Sequence, residues 1–292
     1  MAGSTAVSKT TFHSRSSSFP SKSHPLTTSV EDQLHRLRGS EAASTSASTI
    51  LNNLDSLQDL HQRVTELIQL PSFQKALSHK RSASDEILEG FLRLLDFCSI
   101  VREALLSAKE SVQVLQSSFR RKTIGTVFTQ EVMSYMVSRK KMNKLVTKSM
   151  KSLEKNNSLP LLDEGSDLMA IVNMVIEVQD ISFSVLKSVL SHVSEMKATE
   201  KQSGWSKLSK FMQPKRVSSD IKETEGHEVK KIDEALNALT VHKSCKDINT
   251  VQNVLKRLQT VECSIQEVEE GLEPIFRCLL NTRVSLLNVL NY

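Results

Sequence analysis

Glycine, proline, aromatic side chains and cysteine are all scarce in this chain, and each shortage removes a class of fold or site. Eight glycines and six prolines in 292 residues leave too few turn residues for the repeated tight reversals of a sandwich or barrel. Aromatics are 4% of the chain, so the aromatic and β-branched runs that favour sheet are missing. The four cysteines, Cys98, Cys245, Cys263 and Cys278, show no C-x-x-C and no close pairing. Neither a disulfide framework nor a zinc site is expected, and a reducing compartment fits. Three of them fall at apolar positions of helical patterns, where a thiol acts as a small core hydrophobe.

Long hydrophobic runs are missing as well. The most apolar stretch, residues 168–193, is interrupted by Glu177, Asp180 and Lys187, and its longest uncharged run is nine residues. A bilayer span needs roughly 20, so this stretch predicts a buried helix. No apolar core of a signal peptide follows Met1, and a secretory signal is not expected.

The motifs of common chemistries are absent too: no Walker loop, no G-x-G-x-x-G, no H-E-x-x-H, no G-x-S-x-G and no EF-hand loop. His61, His79, His192 and His242 are scattered without a second ligand at metal spacing, and surface or helix-end positions are expected for them. Carboxylate pairs such as Asp85/Glu86 and Glu269/Glu270 fit helix ends. No catalytic residue, metal or cofactor is expected, so the chain is read as a non-enzyme.

What is present is three-four apolar spacing, which dominates from residue 50 onward. Ile50, Leu54, Leu57, Leu60, Val64, Leu67 and Ile68 form one stripe that Pro71 ends, with a short segment around Phe73 to Leu77 after it. A second long helix begins near Ser82 and Asp85, which have capping-box spacing, and carries Ile87 through Phe119. Gly90 within it costs about 1 kcal/mol against Ala, which points to close packing by a neighbour. A third helix runs from after Gly125 to Leu153, a fourth over about 164–198, a fifth through Ile232, Ala235, Leu236 and Leu239, and a sixth from Ile248 to Ile265. The stretch "EEGLEP" predicts a kink or restart, and Pro274 places a continuous helix from 247 to the end in doubt. In the closing segment Leu279, Leu280 and Leu287 are predicted buried. Short connections make neighbours antiparallel. The expected fold is all-α: an up-and-down antiparallel helical bundle over residues 30–292, with a disordered tail at 1–29 and a basic linker at 199–219.

Charge is blocky rather than uniformly basic. The net charge is +5, with ten Lys/Arg against two acids in 120–155, two against seven in 156–200, and five against none in 201–219. Lys140, Lys144, Lys148, Lys151 and Lys155 recur at helical spacing, so they stack on one side of the third helix, and Arg139 and Lys141 broaden the stripe. The first expectation for a counter-surface is the acidic fourth helix (Asp163, Glu164, Asp167, Glu177, Asp180). An acidic partner or an anionic lipid face is the alternative. The linker "KQSGWSKLSKFMQPKR" mixes Trp205 and Phe211 with Lys207, Lys210, Lys215 and Arg216, a composition suited to interfacial insertion or to a flexible linker stapled onto the bundle. No nucleic-acid-binding motif accompanies these charges, and nucleic acid is not the expected partner.

Residues 1–29 contain no acid, three Lys/Arg and many Ser/Thr, as a plastid transit peptide does. They also hold "RSSSFP", in which Arg15, Ser16, Ser18 and Pro20 match the phosphoserine pattern bound by 14-3-3 proteins. There an extended segment presents one phosphate to an arginine cluster, with Ser18 as the phosphate carrier. A disordered tail without a partner, a phospho-switch and a transit peptide all remain open.

The tail "FHSRSSSFPSKSHP", the following "VEDQLHRLRGSEAASTSASTI", "NLDSLQDLHQRVTELIQLP", "LLDFC" with "KESVQVLQSSFRR", and the ending "FRCLLNTRVSLLNVLNY" together resemble the plant-specific BYPASS-like family. The resemblance covers nearly the whole chain from about residue 12, with 123–230 the least distinctive. It implies an α-helical plant protein linked to root and shoot development, with no established catalytic activity, and it supplies no site residues. The function expected is therefore a non-enzymatic, cytoplasmic scaffold or interaction protein acting through other proteins. A peripheral membrane adaptor linked to secretion and a chloroplast-imported helical protein are the alternatives.

Overall fold

The computed structural model describes residues 24–41, 46–79, 81–121, 126–156, 167–195, 232, 236 and 248–291. Among them every element is a helix. They are α1 (Pro25–Glu41), α2 (Ala47–Ile68), α3 (Pro71–His79), α4 (Arg81–Arg120), α5 (Thr126–Asn156), α6 (Asp167–Glu195) and α7 (Ile248–Asn291). Ile232 and Leu236 are also helical and fully buried, at apolar positions expected of the fifth helix.

Polar pairs between helices give the directions. Arg102 bonds Glu273, Lys109 bonds Glu269, and Gln113 and Gln116 both donate to Glu262. Rising numbers on α4 thus meet falling numbers on α7, so the two are antiparallel. Ser111 meets Ser138, and Arg121 meets Glu131, so α5 also runs against α4. By contrast Leu54 touches Gly271 and Thr65 bonds Thr282, which makes α2 and α7 parallel. The result is an up-and-down bundle.

Local chemistry sets the helix ends. Ser46 caps α2, its hydroxyl accepting from the Thr49 N–H at 3.2 Å, which satisfies one of the orphan donors of the first turn. After Ile68 the chain turns, and Pro71 opens α3 at the position where a missing N–H costs nothing. Helix α4 begins at Arg81, so Ser82 belongs to its first turn rather than standing before it as a cap. The expected stripe of α4 (Ile87, Phe91, Leu94, Leu95, Cys98, Val101, Leu105, Val112, Leu115 and Phe119) is buried throughout, while Leu106 and Val114 beside it are exposed.

Three expectations need correction. The tail was placed at 1–29, yet helix α1 already starts at Pro25; residues 1–23 lie outside the described residues. His24 caps this helix: its ring Nδ1 accepts from the Leu26 N–H at 3.2 Å, and its carbonyl accepts from the Thr27 hydroxyl at 2.6 Å. Val30, Leu34 and Leu37 then bury one face of α1.

Pro274 does not interrupt α7, which is one helix of 44 residues with that proline inside it. An interior proline costs roughly 3 kcal/mol. Here Val268, Leu272, Ile275 and Leu279 are buried on either side of it, and tertiary packing outweighs the local penalty.

The buried face of the closing segment matches the expectation at Leu279 but not at Leu280 and Leu287. Leu279 and Leu286 are fully buried, whereas Leu280 is 42% exposed and Leu287 36%. Thr282 completes the inner face because its hydroxyl donates to the Cys278 carbonyl at 2.8 Å and meets the Thr65 hydroxyl at 3.0 Å.

Candidate functional site

Helix α5 buries Val132, Tyr135, Arg139, Met142, Val146 and Ser149, alternating three and four residues apart. That spacing keeps one face inward along the whole helix. The opposite face must then carry Lys140, Lys144, Lys148 and Lys151, and all four are exposed, as is Lys141 beside them. Lys155 follows one turn further along the same helix. Lys144, Lys148 and Lys151, with Asn143 and Thr147 between them, line an open depression of about 440 Å³. Thr147 donates its hydroxyl to the Asn143 carbonyl at 2.8 Å, which fixes the rim of this hollow to the helix backbone.

None of Lys140, Lys141, Lys144, Lys148 and Lys151 forms an ion pair among the described residues. For Glu177 and Asp180 the expected role of counter-surface is therefore corrected. Glu177 pairs instead with Arg38 of α1 at 3.0 Å. Asp180 has its carboxyl pushed up by burial and by Glu177, with Arg38 and Arg93 opposing. The cations acting on both acids thus come from α1 and α4. Asp163 and Glu164 lie outside the described residues, and of Asp167 only the backbone is described. Like charges at i, i+4 repel, so an unpaired stack of lysines is a local cost to α5.

Arg139 does not broaden the stripe. It is 7% exposed, stacks 5.8 Å over the Tyr135 ring, and borders a water-sized cavity of about 10 Å³ between α4, α5 and α7. The three-four spacing of the buried face passes through residue 139, which turns this cation inward.

The buried polar groups form a second system. His61 is fully buried rather than at a surface; its Nε2 lies 2.9 Å from the Ser182 hydroxyl, which itself donates to the Val178 carbonyl at 2.6 Å. Burial pushes the His61 imidazole down to about 4, so it is neutral at physiological pH. His192 is buried as well. Among the cysteines Cys98 is a core residue, its thiol pushed up to about 12 mainly by burial, while Cys263 is exposed and Cys278 half-buried. Among the described residues no three His, Cys, Asp or Glu side chains converge as a metal site.

Two other expected sites, Arg15–Pro20 with Ser16 and Ser18, and the linker with Trp205, Lys207, Lys210, Phe211, Lys215 and Arg216, lie outside the described residues. No helix among the described residues is long and apolar enough to cross a membrane.

A family model described as Protein BPS1 matches residues 53–289, which spans α2 through nearly the whole of α7 and includes the lysine face. No curated protein and no solved structure matches the chain.

Proposed function

The chain belongs to the BPS1, or BYPASS-like, family of plant developmental proteins, and from that premise we propose that it is a non-enzymatic helical interaction protein acting in root and shoot development. Its docking surface is the lysine face of α5, and the partner is anionic. The observation that carries this reading is the line of exposed lysines, unpaired among the described residues. Elsewhere on the bundle, cations such as Arg38, Arg102, Lys109 and Arg121 are matched by carboxylates of other helices. A charge stack that weakens its own helix is accounted for when something outside the bundle neutralises it.

The interior supports a scaffold. His61 with Ser182, Thr65 with Thr282, and Gln179 with the Ile87 carbonyl each tie two helices together. Phosphorylation of Ser18 and capture by 14-3-3 proteins would control the same protein through its tail.

The test is rescue of plants that lack the protein. Wild type should restore root and shoot growth, whereas Lys144→Glu, Lys148→Glu, Lys151→Glu at equal abundance should not. Full restoration by the triple variant would overturn the reading.

A further inference from the structure

The exposed face of α5 does not begin with its lysines. Met133 and Val137 are 64% and 51% exposed, among the most exposed large apolar side chains described. Residues 133, 137, 140, 144, 148 and 151 succeed one another three or four apart. At 3.6 residues per turn they fall within roughly 80° of the helix circumference and along about 27 Å of its length. No acid occurs anywhere from Val132 to Lys151. Two isolated exposed hydrophobes would need no explanation; two that continue an unpaired cationic line form one surface with an apolar foot.

We propose that this face docks on an anionic lipid bilayer, with Met133 and Val137 entering the boundary between headgroups and acyl chains and the lysines lying along the phosphates. The proposal rests on the docking role argued above and names the partner. The choice of cation favours a lipid surface over an acidic protein. Lysine is a compact point charge on a flexible stem, suited to a diffuse field of anions, whereas arginine's planar fork matches individual carboxylates. The segment's one arginine, Arg139, is turned into the bundle over Tyr135. The shallow surface between Lys144, Lys148 and Lys151 is open to solvent, so headgroup phosphates have free access to all three amines. Two apolar side chains hold a protein poorly on neutral lipid, so apolar insertion and charge must act together.

Co-sedimentation of the full-length protein with phosphatidylcholine vesicles, with and without phosphatidylserine, tests this. Binding is expected only with phosphatidylserine, and should weaken as salt shortens the Debye length from about 10 Å at 0.1 M to about 3 Å at 1 M. Lys144→Gln, Lys148→Gln, Lys151→Gln should reduce affinity about tenfold or more. Met133→Gln with Val137→Gln should reduce it several-fold, with unchanged circular dichroism. Trp205→Ala with Phe211→Ala should leave it within about twofold, because the proposed docking surface is built from α5 residues. Three results overturn the proposal: no binding to anionic vesicles, equal binding by the triple lysine variant, or loss confined to the Trp205/Phe211 variant. If plant rescue needs the lysines while vesicles are not bound, the docking function stands and the lipid occupant falls to an acidic protein.

Discussion

The side-chain amide of Gln179 on α6 fills the hollow left by Gly90 on α4, and its Nε2 donates to the Ile87 carbonyl at 2.8 Å one turn earlier. A Cβ at residue 90 would overlap the Gln179 amide oxygen. The glycine is thus a packing device, which lets a polar side chain lie flat on the backbone of the neighbouring helix.

Gly90→Ala should therefore destabilise the protein by about 1–3 kcal/mol, although alanine is the better helix former by about 1 kcal/mol. In a Gln179→Ala background the same substitution should become neutral or stabilising, since the obstructing amide is gone. Denaturant unfolding of the four proteins of this cycle measures the coupling; additive effects would show that the two residues do not meet.

This contact was half legible. An interior glycine in a long helical pattern announces that something lies close, but nothing in the chain points to the distant Gln179. Helix α7 was harder. Leu279 and Leu286 lie on one side, Leu280, Val284 and Leu287 on another, and both lines have helical spacing. Thr282 interrupts the first, so apolar content alone does not separate them, and the expected set took Leu279 from one line and Leu280 and Leu287 from the other. The structure chooses the first line because the Thr282 hydroxyl finds partners in Cys278 and Thr65, a fact of tertiary structure. The lysine line is local to one helix and was readable, whereas the pairing of Glu177 with Arg38 depends on how α1 docks, and α1 hides behind a Ser/Thr-rich stretch.

The choice of inner face on α7 has a direct thermodynamic consequence. Leu279→Ala and Leu286→Ala should each lower stability by about 2–5 kcal/mol, as truncation of a buried leucine does. Leu287→Ala should cost less than about 1 kcal/mol, because part of that side chain already faces water. Equal losses at 286 and 287 would show that the helix is rotated from the orientation described.

His61 makes stability fall on acidification. Its imidazole is pushed down to about 4 by burial alone, whereas in an unfolded chain it titrates near 6.5. Above that value both states are neutral and the group contributes no pH dependence. As pH falls from 6.5 towards 4 the unfolded state takes up the proton first, so unfolding is favoured; below 4 the effect levels off. At pH 5 the loss is about 2 kcal/mol. Carboxylates titrate in part of this window, so the comparison is with His61→Asn: the wild type should lose more stability between pH 7 and pH 5 than the variant. Parallel pH profiles would mean that the histidine is already solvated.

The lysine face itself should behave oppositely in stability and in docking. Lys144→Glu places a carboxylate four residues after Lys140 and four before Lys148. The second of these pairs has the favourable order, acid nearer the helix N-terminus. Two repulsions become two attractions, each contributing about 0.2–0.5 kcal/mol on an exposed helix surface. The variant should therefore unfold at slightly higher denaturant than wild type, by an amount that shrinks as salt screens exposed charges. The measurement is paired denaturation curves at low and high salt. A lysine that served the fold through a hidden carboxylate would give the reverse, a loss of stability on charge reversal. A gain means that the native lysine is retained at the expense of its own helix, and a residue that weakens the fold it sits in is kept for what it meets outside it.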